Sequence, residues 1–245
     1  MDLNEEQIKN AVRQRYSQLA LENGSCCVSE TDSCCDSPST AEIDLPKEAL
    51  SVVASCGSPL ADVQVREGES VLDLGSGGGV DVFRASKLVG EKGRVIGIDA
   101  TPEMIFRARE TAKKYSYHNV EFRLGEIEHM PIESNSVDLV ISNCVLNLVP
   151  DKESAFREIY RVLKPRGRVS VSDMVTTEEG RKPIKPEDWA ACIAGAVTWD
   201  EYRSLLEKAG FVDIEGTDES HPINLEMKSK GLQVKSVTWK ATKPS

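Results

Sequence analysis

From about residue 69 the chain alternates short β-branched runs with longer amphipathic ones, and that alternation leaves few folds open. SVLDLG (70–75), RVIGID (94–99), VEFRLG (120–125), VDLVISN (137–143) and GRVSVSDM (167–174) read as strands. Helical patterns fill the intervals at 80–89, 101–116 and 151–164. Thr101 at the N-cap position, Pro102 in the first turn and Glu103 beside it signal the start of the second helix, and Pro165 stops the third. Strands that alternate with helices pair in parallel, and the helices cover both faces of the sheet. The tail departs from this rhythm. FVDIEG (211–216) and LQVKSVTWKATK (232–243) are strands with no helix between them, which predicts an antiparallel hairpin at the sheet edge. The expected fold is α/β, Rossmann-like, with a mostly parallel seven-stranded sheet and an antiparallel C-terminal edge hairpin.

The flanks are less regular. Ile8, Val12, Tyr16 and Leu19 fall on one face of a helix over 4–22, and a short helix is expected at 47–54. Between them, GSCCVSETDSCCDSPSTAEIDLP lacks periodicity and reads as a surface loop. Residues 186–209 read as two helical pieces broken near Thr198. Forty acidic against 30 basic residues give a formal net charge of −10, which disfavours nucleic acid and anionic membranes as partners. No run approaches the roughly 18 apolar residues of a membrane span. MDLNEEQIKN is charged and unlike a secretory signal, so the expected compartment is the cytoplasm.

VLDLGSGGGVD places Gly75, Gly77 and Gly79 directly after the first strand and before a helix. Glycine lets the backbone turn at positive φ and approach a ligand closely. Asp73 lies within the strand, and Asp99 ends the second strand 99 − 77 = 22 residues after Gly77, an offset suited to ribose hydroxyls. A dinucleotide fingerprint would place a third glycine where Val80 stands. The G-x-G-x-G spacing with a preceding acid instead resembles the first motif of the class I S-adenosylmethionine-dependent methyltransferases. Gly125-Glu126-Ile127-Glu128 resembles that family's adenine-holding segment, and V-L-K-P-x-G at 162–167 extends the likeness. The resemblance implies cofactor contacts from Asp73, Gly75, Ser76, Gly77, Gly79, Asp99, Ala100, Met104, Glu126, Ile127 and Asn143. An acidic turn suits a cofactor that carries an ammonium and a sulfonium and no pyrophosphate.

The resemblance implies acceptor chemistry just after the fourth strand, where Ser142-Asn143-Cys144-Val145-Leu146-Asn147-Leu148 contains no His, Asp, Glu or Lys to act as a general base. It offers a thiol instead. Seven cysteines are present, four of them in the vicinal pairs Cys26-Cys27 and Cys34-Cys35, and three dispersed as Cys56, Cys144 and Cys192. Vicinal pairs do not match the C-x₂₋₄-C spacing of structural zinc. YSQLALENGSCC (16–27), SCGSP (55–59), SNCVLNLVPDK (142–152) and DWAACIAGA (188–196) resemble the arsenite methyltransferases, in a short form. The resemblance implies that Cys56, Cys144 and Cys192 hold trivalent arsenic. It implies as partners arsenite or its thiol conjugates, and an external thiol reductant. A thiophilic centre suits sulfur ligands, and its lone pair can attack a sulfonium methyl with no proton to remove.

The expected organisation is an N-terminal helix and Cys-rich loop over 1–46, a cofactor-binding core over 47–185, and acceptor-capping helices with the C-terminal hairpin over 186–245. The expected state is a monomer. Cys26, Cys27, Cys34 and Cys35 are candidates for accessory arsenite capture. Two other readings differ in testable ways: a methyltransferase for a carbon or oxygen acceptor, indifferent to loss of Cys144 or Cys192, and a thiol-based metalloid sensor that binds arsenite without consuming cofactor.

Overall fold

The structure, a computed structural model, describes residues 4–22, 45–51, 58–61, 63–176, 189, 195–219 and 234–245. Strands β1 (Ser70–Leu74), β2 (Arg94–Asp99), β3 (Val120–Leu124), β4 (Val137–Asn143), β5 (Leu163–Thr176), β6 (Val212–Glu219) and β7 (Val234–Thr242) form one sheet in the order β3-β2-β1-β4-β5-β7-β6. β1 to β5 pair in parallel, while β7 runs antiparallel to both β5 and β6. This is the architecture expected from the sequence, with the last strand inserted inside the edge strand β6.

Helices α1 (Glu5–Glu22), α2 (Lys47–Leu50), α3 (Val80–Val89), α4 (Pro102–Lys114), α5 (Lys152–Val162) and α6 (Trp199–Ala209) complete the described elements, with a 3-10 turn at Leu146–Leu148. Strand side chains alternate between two cores because successive residues point to opposite faces. Val71, Val95, Leu139 and Ile141 pack with Phe83, Ile105 and Phe122 on the α3/α4 side. Leu72, Leu74, Ile96, Ile98 and Val140 pack on the other side with Phe156 and Ile159 of α5, Tyr202 of α6 and Trp239 of β7. Fully burying each large apolar side chain contributes about 1.5–3 kcal/mol, so both faces must stay covered. On β1 the alternation puts Asp73 on the same side as Val71.

The junction of α5 and β5 differs from the sequence expectation. α5 ends at Val162, two residues early, since Pro165 keeps Lys164 out of helical geometry. β5 begins at once at Leu163, which pairs with Val137 before an irregularity that carries the register to Leu139↔Arg168, with Arg166 at φ +65°. Thr101 sits at the N-cap of α4 yet makes no side-chain capping bond. The break near Thr198 is a capping box: Thr198 Oγ1 accepts from the Glu201 N–H (3.2 Å), and the Thr198 N–H donates to Glu201 Oε2 (2.8 Å). No helix among the described residues is long and apolar enough to cross a membrane.

Candidate active site

The strand order reverses between β1 and β4, and open α/β sheets bind ligands outside the strand ends at such a point. Gly75, leaving β1 at φ +66°, passes so close to β4's exit that a Cβ there would lie 2.0 Å from Val145 Cγ2. Gly77 is also left-handed at φ +49°, but nothing lies within 4 Å of its missing Cβ, so this bend faces open space. Asp99 fixes the bend from the end of β2. Its Oδ2 accepts from the Gly77 N–H (2.9 Å) and its Oδ1 from the Thr101 N–H (2.8 Å), tying the glycine turn to the start of α4.

A cavity of about 240 Å³ opens here. Asp73, Gly75, Ser76, Gly77, Asp99, Ala100, Met104, Glu126, Ile127, Asn143 and Cys144 all line it, so every expected cofactor residue except Gly79 borders one space. Gly79 instead caps α3 at φ +93°, where a Cβ would meet the Phe122 ring at 2.8 Å. The cavity is acidic at its base. Burial, and then the neighbouring carboxylates Asp81 and Asp99, push the Asp73 carboxyl well above the usual range. Burial also raises Asp99, opposed by the backbone N–H groups it accepts from. Asp81 is tied to Arg84 (3.1 Å) and to the Asn143 amide (3.5 Å). A buried carboxylate destabilised mainly by desolvation and like charge is relieved by a cation. The site therefore fits a positively charged ligand such as S-adenosylmethionine.

Sequence reasoning did not place α1 at this site. Lys9, Val12, Arg13, Tyr16 and Leu19 line the cavity opposite the sheet edge. Lys9 Nζ meets Glu126 (2.7 Å) and Glu128 (3.0 Å), while Arg13 meets the other Glu126 oxygen (2.8 Å). The Lys9 hydrogen bond is the main reason the Glu126 carboxyl lies below its ordinary value. Ser17 donates to Glu103 (2.7 Å), and Arg107 of α4 donates to the Ala20 carbonyl (2.9 Å). Met104 is buried against Ala20, Tyr16 and Leu19. The apolar face of α1 was legible in the sequence. The signal for its docking was the pair Lys9 and Arg13, four apart on a helix, which a chain with acids at 126 and 128 can receive.

Cys144 begins the turn after β4. It is buried at 2% exposure, holds φ +56°, and its N–H donates to the Ser172 carbonyl of β5 (2.8 Å). Positive φ is uncommon for a residue with a Cβ, and here it brings the cysteine to the cavity wall. The Cys144 sulfur is disulfide-bonded. Cys26, Cys27, Cys34, Cys35, Cys56 and Cys192 lie outside the described residues. Of the expected sulfur ligands, Cys144 alone can be located against the cofactor cavity.

Comparison with known proteins decides the family. A family model described as a methyltransferase domain matches residues 66–210. An arsenite methyltransferase of Halobacterium salinarum is 39% identical over an alignment covering 100% of this chain and 68% of its own. The chain belongs to the arsenite methyltransferase family. Another relative, the arsenite methyltransferase of Mus musculus, is 43% identical over 58% of this chain and 40% of its own length. The chain thus spans about two thirds of the archaeal relative and less than half of the mammalian one. The crystal structure of an arsenic(III) S-adenosylmethionine methyltransferase from Chlamydomonas reinhardtii superposes with a TM-score of 0.70 at 35% identity, covering 82% of this chain and 71% of that one. Within the arsenite methyltransferase family, the seven-stranded sheet and the glycine turn are the class I methyltransferase core.

Proposed function

We propose that this chain transfers a methyl group from S-adenosylmethionine to trivalent arsenic held by cysteine thiolates. One observation carries the reading: a buried cysteine, Cys144, stands at the β4 exit on the wall of an acidic cavity built for a cationic cofactor. Cys56 and Cys192 join it as the remaining arsenic ligands. The bound cofactor supplies an electrophilic methyl on a sulfonium. The Gly75–Gly77 turn and Asp99 orient that cofactor, Asp73 offsets its charge, and α1 shields the cavity from water. With the cofactor bound, its methyl would pass to the arsenic lone pair, the electrons of the broken sulfonium–carbon bond staying on sulfur. No proton leaves the acceptor, which accounts for residues 142–148 containing no side-chain base. Rate enhancement comes mostly from alignment of lone pair and methyl.

Methylation formally oxidises the arsenic by two electrons, and external thiols return them as they become a disulfide. The same reductant opens the Cys144 disulfide, since only a thiolate binds arsenic. The catalyst comprises a core over 47–185 capped by 186–245, and acts as a cytoplasmic monomer. The vicinal pairs Cys26-Cys27 and Cys34-Cys35 capture arsenite and pass it inward. Changing all four to Ser slows arsenite uptake; unaltered affinity and turnover would end the capture idea. The main test incubates reduced protein with arsenite, a thiol and S-adenosylmethionine and separates the arsenic species. Methylated arsenicals are expected. Their absence, with cofactor shown to bind, overturns the proposal.

A further inference from the structure

Behind Cys144 lies a buried polar cluster that the methyl-transfer scheme leaves without a role. Asp173 of β5 is fully buried, as are Tyr202 of α6 and Asn147 of the 3-10 turn. Asp173 Oδ2 accepts from the Tyr202 hydroxyl (2.9 Å) and from the Asn147 backbone N–H (3.1 Å), while its Oδ1 accepts from the Met174 N–H (2.9 Å). The Asn147 amide donates onward to the Met174 carbonyl (2.7 Å). Burial pushes the Asp173 carboxyl up to about 6 and the Tyr202 phenol well above its ordinary value. A carboxylate buried at such cost calls for a reason beyond packing, because an apolar residue would fill the space without it.

Its placement supplies one. β4 and β5 are in register at Asn143↔Ser172, so Asp173 lies next along β5 from the residue that receives the Cys144 N–H. The segment from Cys144 to Val149 then has three anchors on β5, the Ser172 carbonyl, the Asp173 carboxylate and the Met174 carbonyl. Further groups close over it. The Trp189 indole donates to the Leu148 carbonyl (3.2 Å), and the backbone at Gly195 comes so near that a Cβ would lie 1.8 Å from the Asn147 carbonyl oxygen. Tyr202 is itself wedged edge-on against Phe156, with ring centroids 5.7 Å apart. The carboxylate is thus held from α6, and it holds the turn that sets the cysteine at positive φ.

We infer that Asp173, fixed by Tyr202, is a positioning residue that clamps the Asn147 turn and thereby holds the Cys144 thiol against the methyl-transfer cavity. This inference rests on the arsenic reading for its catalytic consequence, but the clamp can be tested without arsenic. Asp173→Asn cannot accept from all three donors, and Tyr202→Phe removes one donor while keeping the ring packed. In reduced protein, the alkylation rate of Cys144, read by peptide mass spectrometry, should rise about tenfold in Asp173→Asn and a few-fold in Tyr202→Phe, with S-adenosylmethionine affinity unchanged. In turnover, the KM for arsenite should rise about tenfold while that for the cofactor stays put. Arsenic X-ray absorption of the loaded variants should show loss of one sulfur neighbour. Unchanged Cys144 alkylation in both variants overturns the clamp. So does uniform acceleration at every cysteine together with loss of cofactor binding, which is general loosening. Wild-type protein that takes up no arsenite defeats the arsenic reading, and the alkylation rates still decide the clamp.

Discussion

The two ends of the cavity are built on different plans. The cofactor end is local: the glycine turn follows β1, and its fixing acid, Asp99, is 22 residues away on the neighbouring strand. That turn is held by bonds between a carboxylate and backbone N–H groups. The sulfur end, the proposed acceptor side, is assembled from distant pieces. Cys144 takes its position from Ser172, and its turn from Asp173, Tyr202 and the backbone at Gly195. One end presents fixed charge and the other presents sulfur. The lesson is that the heart of a cation site can be encoded in one βαβ segment, whereas the proposed sulfur site draws on β5, α6 and the backbone at Gly195. Changes at the two ends should therefore separate cofactor binding from acceptor chemistry.

The largest effect expected is at the sulfur. Cys144→Ser should lower arsenite methylation by about three orders of magnitude, roughly 4 kcal/mol, because a hydroxyl is a poor ligand for a soft centre. Isothermal titration with S-adenosylmethionine should return the wild-type affinity. If arsenite methylation survives, Cys144 is not an arsenic ligand and the two ends are not chemically distinct. Gly75→Ala strikes where the ends touch. Its Cβ would overlap Val145 at 2.0 Å and must adopt φ +66°, costing about 2–4 kcal/mol from backbone strain and overpacking together. Thermal unfolding should fall accordingly, and cofactor and arsenite affinity should fall together. A variant that loses only one of them would show that the ends share no wall here.

How much of this was legible in the sequence follows the same division. The strands, the edge hairpin and the glycine turn could be read because each is a short periodic or motif-like stretch. Asp99 could be found because its offset from Gly77 is fixed by one βαβ unit. The true end of α5 and the early start of β5 were missed, since Pro165 constrains the residue before it and the helical pattern does not show this. α1 was recognised as amphipathic, but its docking depends on Glu126 and Glu128, more than a hundred residues distant. Asp173 was invisible for a related reason. Within VSDM it reads as an ordinary acid at a strand end, and only the folded chain reveals Tyr202 and the Asn147 N–H around it.

Asp99→Ala sharpens the contrast from the cofactor side. It removes two hydrogen bonds between a carboxylate and backbone N–H groups, and cofactor affinity should weaken about 10- to 100-fold, roughly 1.4–2.7 kcal/mol. Arsenite binding to reduced protein, followed by fluorescence, should change little. Weakening of arsenite instead would invert the assignment of the two ends. The same end should respond to pH. Burial and like charge raise the Asp73 carboxyl in the free protein, and a cation beside it lowers it again. Cofactor binding therefore releases a proton, and affinity should rise with pH through the range above about 4, the ordinary carboxylate value. It should level off once Asp73 is ionised in the free state. Arg84, Asp81 and Asp99 face the same space, and Asp99, itself raised by burial, broadens the transition. Titrations in buffers of different ionisation enthalpy would read the released proton directly, and a flat profile would remove Asp73 as the countercharge.

The smallest effect expected is at α1, which belongs to the cofactor end but is held there by side-chain ion pairs rather than by the sheet. Lys9 is partly exposed, at 23% of its side chain, and its partner Glu126 at 35%. Solvent screens such a pair, and exposed pairs contribute about 0.2–1 kcal/mol. Lys9→Ala should accordingly raise the cofactor dissociation constant only about two- to five-fold, chiefly through faster dissociation in stopped-flow displacement. Added salt should mimic the substitution in wild type and have less effect in the variant, because screening acts on a pair that the variant no longer has. Glu128 is buried and also meets Lys9. Loss of the lysine leaves that carboxylate near an already acidic cavity, so part of the cost is regained when a cationic cofactor enters. Unaltered dissociation kinetics would mean that α1 covers the cavity without restraining what it holds.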